Sequence, residues 1–500
     1  MKKNVLIIHA DELRYDCLGC NGNEFVKTPN IDKLAKEGTV FTRHISAHPV
    51  CMPSRASLFT GLYPPAHNVW GNGVPLARKE YQKNYEDKVS FDIPTMADMF
   101  SEAGYDTASF GKLHLTPTFS HKEFGCQEAL EVWETGSLDD WHGPYYGFEY
   151  VEITKGHGEK PCHVGHYSNW LKENHPNEYK SLCEVNQDEI RPYKDFENLY
   201  PLKLSNELHH SAYLADRFNE YINDKSDENP FFTFVGLPDP HHPFTPTEEI
   251  LEMFINSDVK MPVDINSEVL KKSKLYEYFK RKAVNLNENM DEERIITSIR
   301  YTYAMIYQLD LAVGKMIDKL KEKGLYDDTI IIFTSDHGDY LGDFGLMAKT
   351  YIGSDALLHI PLIMRAPGFD LPQTVTKPIS NCDIMPTLAY MTGVELIKEV
   401  QGKNILEILN ADNENVCFAY CVGGPESDYN NISAYDETYR LTYFPRLDHI
   451  ELYDHSNDPN ELVNLKDNKD QEQIQNKLLN DIKDNYIKHS NPRVGKIARW

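Results

Sequence analysis

The chain has 500 residues, 41% of them hydrophobic. That is an ordinary globular composition, too long for a single core, and at about 100–200 residues per domain it implies two or three units. The formal net charge of −26 excludes a general nucleic-acid binder or a protein that coats anionic membranes, and means that any anionic substrate must be met by a local basic pocket.

The first apolar run, Asn4-Val5-Leu6-Ile7-Ile8-His9-Ala10, follows Lys2-Lys3 and ends at Asp11. It is too short for the core of a signal peptide, so Asn4–Ala10 is expected as a buried strand. No apolar run reaches the roughly 18 residues of a transmembrane helix. The nine cysteines are scattered and odd in number; with no export signal they fit a reducing cytoplasm and no disulfide framework. Cys17 and Cys20 form a Cys-x-x-Cys pair, but no second pair or redox context accompanies them, and a turn after the first strand is the expected reading.

Pro29 to Glu37 carries Ile31, Leu34 and Ala35 at helical spacing, with Gly38 as a stop. Cys51-Met52-Pro53-Ser54-Arg55-Ala56-Ser57-Leu58-Phe59-Thr60-Gly61 reads as a short helix, Pro53 in its first turn and Gly61 at its C-cap. Cys51 then sits where unpaired backbone N–H groups favour negative charge, and Arg55 adds a permanent cation one turn on. A nucleophile or a bound anion suits that position.

Ile93–Ala103 is expected as a helix closed by Gly104, and Asp106–Phe110 as a strand. From about Phe119 to Leu204 the texture changes to Gly, His, Pro, Tyr and Trp with weak periodicity; an insertion that walls the mouth of a site is expected. His157, His163 and His166 lie in it, at a spacing that matches no zinc pattern. Phe231–Leu237 reads as a buried strand, Phe244–Asn289 as a second irregular stretch, Ile295–Lys323 as one long amphipathic helix and Thr329–Ser335 as another strand. Strand–helix alternation of this kind predicts a large, mostly parallel α/β sheet with helices on both faces. Beyond about residue 410, short strands are expected at Asn415–Val422, Tyr429–Tyr435 and Tyr439–Phe444, and a helix at Gln471–Tyr486. The expected organisation is a catalytic α/β unit over 1–410, with the insertion at about 119–204, and a small α+β unit over 411–500.

Asp11 and Glu12 follow one strand directly; Asp336 and His337 follow another. Ligands gather beyond the carboxyl ends of strands in such sheets. Two acidic strand ends meeting there would repel without a cation, and with one they make a hard oxygen site for Ca²⁺, Mg²⁺ or Mn²⁺.

The order Cys51-x-Pro53-Ser54-Arg55 followed by Leu58-x-Thr60-Gly61 resembles the signature of the type I sulfatases, members of the alkaline phosphatase-like superfamily. The resemblance implies that Cys51 is converted after translation to formylglycine by a formylglycine-generating or radical maturation enzyme, and that the hydrated aldehyde is the nucleophile. It also implies an alkaline phosphatase-like fold with a small C-terminal antiparallel sheet and a helix. Glu451-Leu452-Tyr453-Asp454 leading to Asp458-Pro459-Asn460-Glu461 is similar to the C-terminal motif of that family.

The same resemblance assigns Asp11, Glu12, Asp336, His337 and modified Cys51 as metal ligands, with Ca²⁺ the first choice and Mn²⁺ or Mg²⁺ the alternatives. Many relatives carry Asp or Gln in place of Glu12 and Asn in place of His337. Gly104-Tyr105-Asp106-Thr107-Ala108-Ser109-Phe110-Gly111-Lys112-Leu113-His114 is similar to the second family signature; Lys112 would bind sulfate oxygens and His114 would remove a proton from the sulfated gem-diol. Pro240-His241-His242-Pro243 resembles the family's Pro-His-x-Pro, which makes His241 the proton donor to the departing alkoxide and a substrate contact. Lys349 fits the second sulfate-binding lysine, and Arg55 completes the catalytic set.

The chemistry explains the residue types. A sulfate ester is a stable anion with a poor leaving group, so charge on its oxygens must be neutralised and the leaving oxygen protonated near neutral pH. The expected function is a soluble, arylsulfatase-like hydrolase acting on a small-molecule or oligosaccharide sulfate ester. The rivals are a phosphonate monoester or phosphodiester hydrolase of the same superfamily, whose members tend to lack the Lys112 and His114 pair, and a non-catalytic sulfoglycan-binding protein.

Overall fold

A computed structural model describes residues 2–78, 92–154, 164–184, 190–194, 196–226, 228–282, 291–424 and 426–489. The first strand, β1 (Asn4–Asp11), is buried along its whole length. Val5 and Ile7 pack into one helical layer, and Leu6, Ile8 and Ala10 into the other. A strand apolar at both parities can only be central. It lies between β5 (Phe231–Pro240) and β6 (Thr329–Ser335), parallel to both.

With β2 (Thr39–Ile45), β3 (Asp106–Gly111), β4 (Tyr150–Ile153), β7 (His359–Arg365) and β8 (Thr374–Val375), the sheet runs in the order β4-β3-β5-β1-β6-β7-β2-β8, and β9 (Ile379–Ser380) pairs with β2. One face carries the helices Pro29–Glu37, His210–Asp224 and Glu292–Glu322; the other carries Cys51–Thr60, Met96–Glu102 and Ile384–Thr392. The expected α/β sandwich is present.

Several elements differ from the sequence reading. The sheet is mixed, because β7 runs antiparallel to both β6 and β2. The helix expected over Ile93–Ala103 begins at Met96, since Thr95 and Asp98 close a capping box that fixes its start. The segment 119–204 belongs in part to the scaffold: it contributes β4 at the sheet edge and the helices His166–Asn174 and Pro176–Glu184. His157 and His163 lie outside the described residues. Both ring nitrogens of His166 are spent on backbone: Ile153 N–H donates to Nδ1 at 2.7 Å, and Nε2 meets the Trp141 carbonyl at 2.8 Å. Cys17 and Cys20 lie in two short 3₁₀ turns after β1.

The C-terminal sheet has four antiparallel strands, β10 (Cys417–Cys421), β11 (Asn431–Tyr435), β12 (Tyr439–Phe444) and β13 (His449–Asp454), covered by the helix Glu472–His489. The fourth strand was not anticipated. Phe418, Leu441, Leu452 and Leu478 pack in one cluster with Ala47, Tyr63 and Cys382, so this sheet is seated on the segments that flank the Cys51 helix. No described helix is long and apolar enough to cross a membrane.

Candidate active site

The four neighbouring strands β3, β5, β1 and β6 run parallel and end on the same edge. Each hands over a chemically active turn: Lys112 and His114 after β3, His241 and His242 after β5, Glu12 after Asp11 of β1, and Asp336 and His337 after β6. The β3 end comes very close to β5. Gly111 has φ +97°, and a Cβ there would fall 2.1 Å from the Gly236 carbonyl oxygen, so only glycine fits.

Glu12 (φ 65°), His114 (φ 56°) and Ala348 (φ 56°), which precedes Lys349, all adopt the left-handed conformation. Such residues cost about 1–3 kcal/mol each and persist where the surroundings over-determine them. His114 is held by Glu128, whose carboxylate accepts the backbone N–H groups of His114 (2.5 Å), Leu115 (2.7 Å) and Thr116 (3.2 Å).

The Cys51 helix points its N-terminus into the same edge. It runs Cys51–Thr60 and ends at Gly61 with φ 62°, as the sequence predicts. Cys51 is fully buried; its Sγ lies 3.1 Å from His337 Nε2 and 3.8 Å from Asp11 Oδ1. Donor atoms of Asp11, Cys51, Asp336 and His337 all fall within 4.8 Å of one another. Glu12 falls in an adjoining group with His241 and His242.

Each carboxylate faces its own cation. Lys112 Nζ bonds Asp11 Oδ2; Arg55 Nε donates to Asp336 Oδ2 at 2.8 Å; Lys349 Nζ donates to Glu12 Oε2 at 3.1 Å. Lys349 Nζ also meets His241 Nε2 at 2.7 Å, and His241 Nδ1 meets the His242 carbonyl at 2.5 Å. That pattern makes Nδ1 of His241 the protonated nitrogen and Nε2 the acceptor.

The electrostatics follow. Burial and the neighbouring Asp336 push the Asp11 carboxyl above its ordinary range. Burial pushes Asp336 the same way, but His337 and Arg55 outweigh it and hold Asp336 well below. For Glu12, burial is likewise outweighed by Lys349 and His242, which bring it to about 2. Burial lowers His337, yet Asp336 overrides that and raises it to about 9. Burial, then Lys349, hold His241 well below 6.5.

These residues fit a divalent cation. Two acids that push each other's protonation apart, and an imidazole kept protonated chiefly by a carboxylate, form a set that a cation relieves on binding. Glu12 Oε1 is buried with no hydrogen-bond partner, an oxygen to spare for a metal. The donor set of carboxylate oxygens and one imidazole suits a hard ion.

The structure therefore brings Asp11, Glu12, Cys51, Arg55, Lys112, His241, Asp336, His337 and Lys349 to one strand edge, with His114 beside them. Sequence reasoning missed Glu128, and it missed the grip of the C-terminal sheet on the Lys349 arm. Asn431 Nδ2 donates to the Tyr351 carbonyl at 2.9 Å and its Oδ1 accepts from Gly353 N–H at 3.1 Å; Arg440 Nη1 donates to the Gly353 carbonyl at 2.7 Å. Only the burial of a polar strand could have signalled this: Asn431, Ser433 and Arg440 are all buried.

The chain is similar to several known proteins. An arylsulfatase of Clostridium perfringens is 26% identical over 483 residues, covering 93% of this chain and 90% of the relative. A choline-sulfatase of Rhizobium meliloti is 28% identical, covering 93% and 83%. The solved structure of a phosphonate monoester hydrolase of Agrobacterium radiobacter superposes with a TM-score of 0.78 at 24% identity, covering 98% and 96%, and so shares the fold. The profile of the C-terminal region of N-sulphoglucosamine sulphohydrolase matches residues 342–488. The sulfatase profile matches residues 3–394, and the chain belongs to the sulfatase family.

Proposed function

We propose that this chain hydrolyses sulfate monoesters to sulfate and an alcohol, with a formylglycine made from Cys51 as nucleophile. The observation that carries this reading is the placing of Cys51: fully buried at a helix N-terminus, against His337 and Asp11, with Arg55, Lys112 and Lys349 converging on the acids around it. Oxidation of Cys51 to the aldehyde and its hydration would supply a hydroxyl pair, one to attack sulfur and one to expel sulfate afterwards.

Asp11, Glu12, Asp336, His337 and the modified Cys51 would hold the divalent cation, which supplies Lewis acidity for activating a hydroxyl and neutralising sulfate oxygens. Three carboxylates favour Ca²⁺; the imidazole of His337 makes Mn²⁺ the competitor. Lys112 and Lys349 are placed to bind the nonbridging oxygens of the entering anion, leaving the carboxylates they now pair with. Arg55 donates to Asp336 and, through Nη1, to the Lys112 carbonyl at 2.8 Å, so it fixes two of these groups together.

His114 would take the proton whose removal releases sulfate. His241 would give a proton to the departing alkoxide; Lys349, already donating to its Nε2, is the adjacent proton source. A negative charge brought next to His241 raises its affinity for that proton. The substrate is a small or oligosaccharide ester, and Cys51 is the target of a separate maturation enzyme. Residues 1–410 would form the catalytic unit and 411–500 the small C-terminal α+β unit.

The test is direct. Mass spectrometry of the Cys51 peptide should show the shift from –CH₂SH to –CHO, chelation should abolish sulfate release, and metal analysis of the active protein should return calcium. An unmodified Cys51 in fully active protein would sink the proposal. Phosphonate esters cleaved faster than every sulfate ester would hand the site to the rival chemistry.

A further inference from the structure

Beside the nucleophile lies a second feature that the reaction does not use. Asn72 Oδ1 accepts from Met52 N–H at 3.1 Å, at the first turn of the Cys51 helix. Trp70 is two residues away, a span of at most about 7 Å of chain, and its side chain is exposed at 40%. The two are joined by Gly71, whose Cβ position lies 3.3 Å from the Tyr351 hydroxyl. Tyr351 and Trp70 both pack on the turn Gly423–Gly424: the Cβ positions lie 3.1 Å from the Tyr351 ring and 3.6 Å from the Trp70 ring. Tyr351 sits two residues from Lys349, and its ring meets that of His48, three residues before Cys51, edge-on at 5.8 Å.

From Trp70 a groove of about 590 Å³ runs between Pro64-Pro65, the face of the C-terminal sheet and the last helix, walled by Tyr443 and Tyr486. Tyr486 is exposed at 48%. Among the described residues that line it, Lys483 is the one that carries a charge.

We propose that this groove is the subsite for the alcohol part of the ester, and that it takes an uncharged ring stacked on Trp70. The proposal rests on the reading of the site as a sulfate-ester hydrolase and names its substrate class: a monosulfated compound whose alcohol is an aryl ring or the flat face of an unsulfated sugar. Both present the same chemistry to an indole, an apolar face with polar edges. The described walls disfavour a polysulfated chain. Its further sulfates would lie against Tyr443, Tyr486 and prolines, with Lys483 the one cation among the described lining residues, and a desolvated charge without a partner is costly. The net charge of −26 opposes such a polyanion further.

Binding can be read without turnover. In full-length Cys51→Ala protein, 2-naphthol as the aryl probe and methyl β-D-glucopyranoside as the sugar probe are titrated by calorimetry and tryptophan fluorescence. At least one should bind, and the tighter of the two identifies the source of the ring. Trp70→Ala should weaken it about three- to tenfold, and Tyr486→Ala on the opposite wall should weaken it as well. In the Cys51-containing enzyme, Trp70→Ala should raise KM more for 2-naphthyl sulfate than for methyl sulfate. Failure of both rings to bind, or equal affinity in both variants, would overturn the subsite. Binding that appears only after residues 490–500 are removed would overturn it too, by giving the groove to the chain's own terminus. If no sulfate ester is cleaved yet the rings bind at Trp70, the function proposed above fails and the groove stands.

Discussion

The floor and the mouth of the site are built on different principles. On the floor, Asp11, Cys51, Arg55, Asp336 and His337 have no solvent exposure, and their partners come from strand ends and one helix. At the mouth, the Lys349 and His242 side chains are 12% and 24% exposed, and Lys349 is carried on an arm that the C-terminal sheet grips through Asn431 and Arg440. The floor couples chemistry to folding, because each charge there is buried against another. At the mouth that coupling is confined to Lys349 and the buried Glu12, and a histidine there can be removed without taking a carboxylate's lysine away.

That contrast makes the first prediction the largest. Asp336→Ala should lose turnover and also about 3 kcal/mol of stability, because buried Arg55 loses the carboxylate it hydrogen-bonds and keeps only Asp11, 3.5 Å from its Nη2. Denaturant unfolding and sulfate release measure the two losses, and a variant as stable as the parent would erase the distinction. His241→Ala, at a buried imidazole, should cost about 10²–10⁴-fold on a sugar sulfate and far less on nitrophenyl sulfate, whose leaving group departs unaided, with a smaller change in unfolding than Asp336→Ala. His242→Ala should lose less, without dependence on the leaving group. A steeper slope of rate against leaving-group pKa for His242→Ala would assign the acid to the other histidine.

Asn431→Ala tests the arm. It removes the hydrogen bonds to Tyr351 and Gly353 and a third to the Tyr429 carbonyl, each worth about 1 kcal/mol. We expect roughly tenfold in kcat/KM from misplaced Lys349, with Asn431→Asp, which keeps one acceptor, in between. Loss of stability with unchanged kinetics would make the grip purely structural.

The smallest effect concerns the support under His241. Asp239, just before Pro240-His241, accepts from His210 Nε2 at 3.0 Å and Ser211 Oγ at 2.5 Å. Burial raises its carboxyl, but His210 outweighs that and lowers it from 3.8 to about 2. Its contribution, about 2 kcal/mol at most, is therefore present above pH ~4 and lost as pH falls towards ~2. The stability gap between the parent and Asp239→Asn should close across that window. A gap that stays constant would mean that the ionised form is not what holds the turn.

Much of this was legible in the sequence because local signals and tertiary roles coincide. An apolar run ending in acid gave both strand ends at Asp11 and Asp336, and Pro53 with Gly61 bounded the Cys51 helix. Where they diverge, reading failed. The strand His359–Arg365 contains Pro361, a residue that argues against an interior strand. The structure accommodates it at a break in the β2 register: Phe41 pairs with Leu362 and His44 with Ile360, so nothing opposite Pro361 asks for its missing N–H. Likewise no local pattern connects Asn431 with Gly353, since the pairing exists only once the second sheet is seated. Glu12 carries acid-after-strand logic correctly, but its spacing could not tell that it would turn Oε2 towards His241 and Lys349.

The central strand of the sheet is made well before either of its neighbours. Val5 pairs with Phe232 on one side and Ile330 on the other, so β1 waits for both neighbours while the ribosome synthesises most of the protein. At about 5–20 residues per second, the interval between the emergence of Cys51 and completion of β6 is about 15–60 s. Through that interval the cysteine is reachable by another enzyme; in the folded chain its side chain has no solvent exposure. If Cys51 is converted as proposed, the speed of translation sets how many molecules leave the ribosome with a working nucleophile.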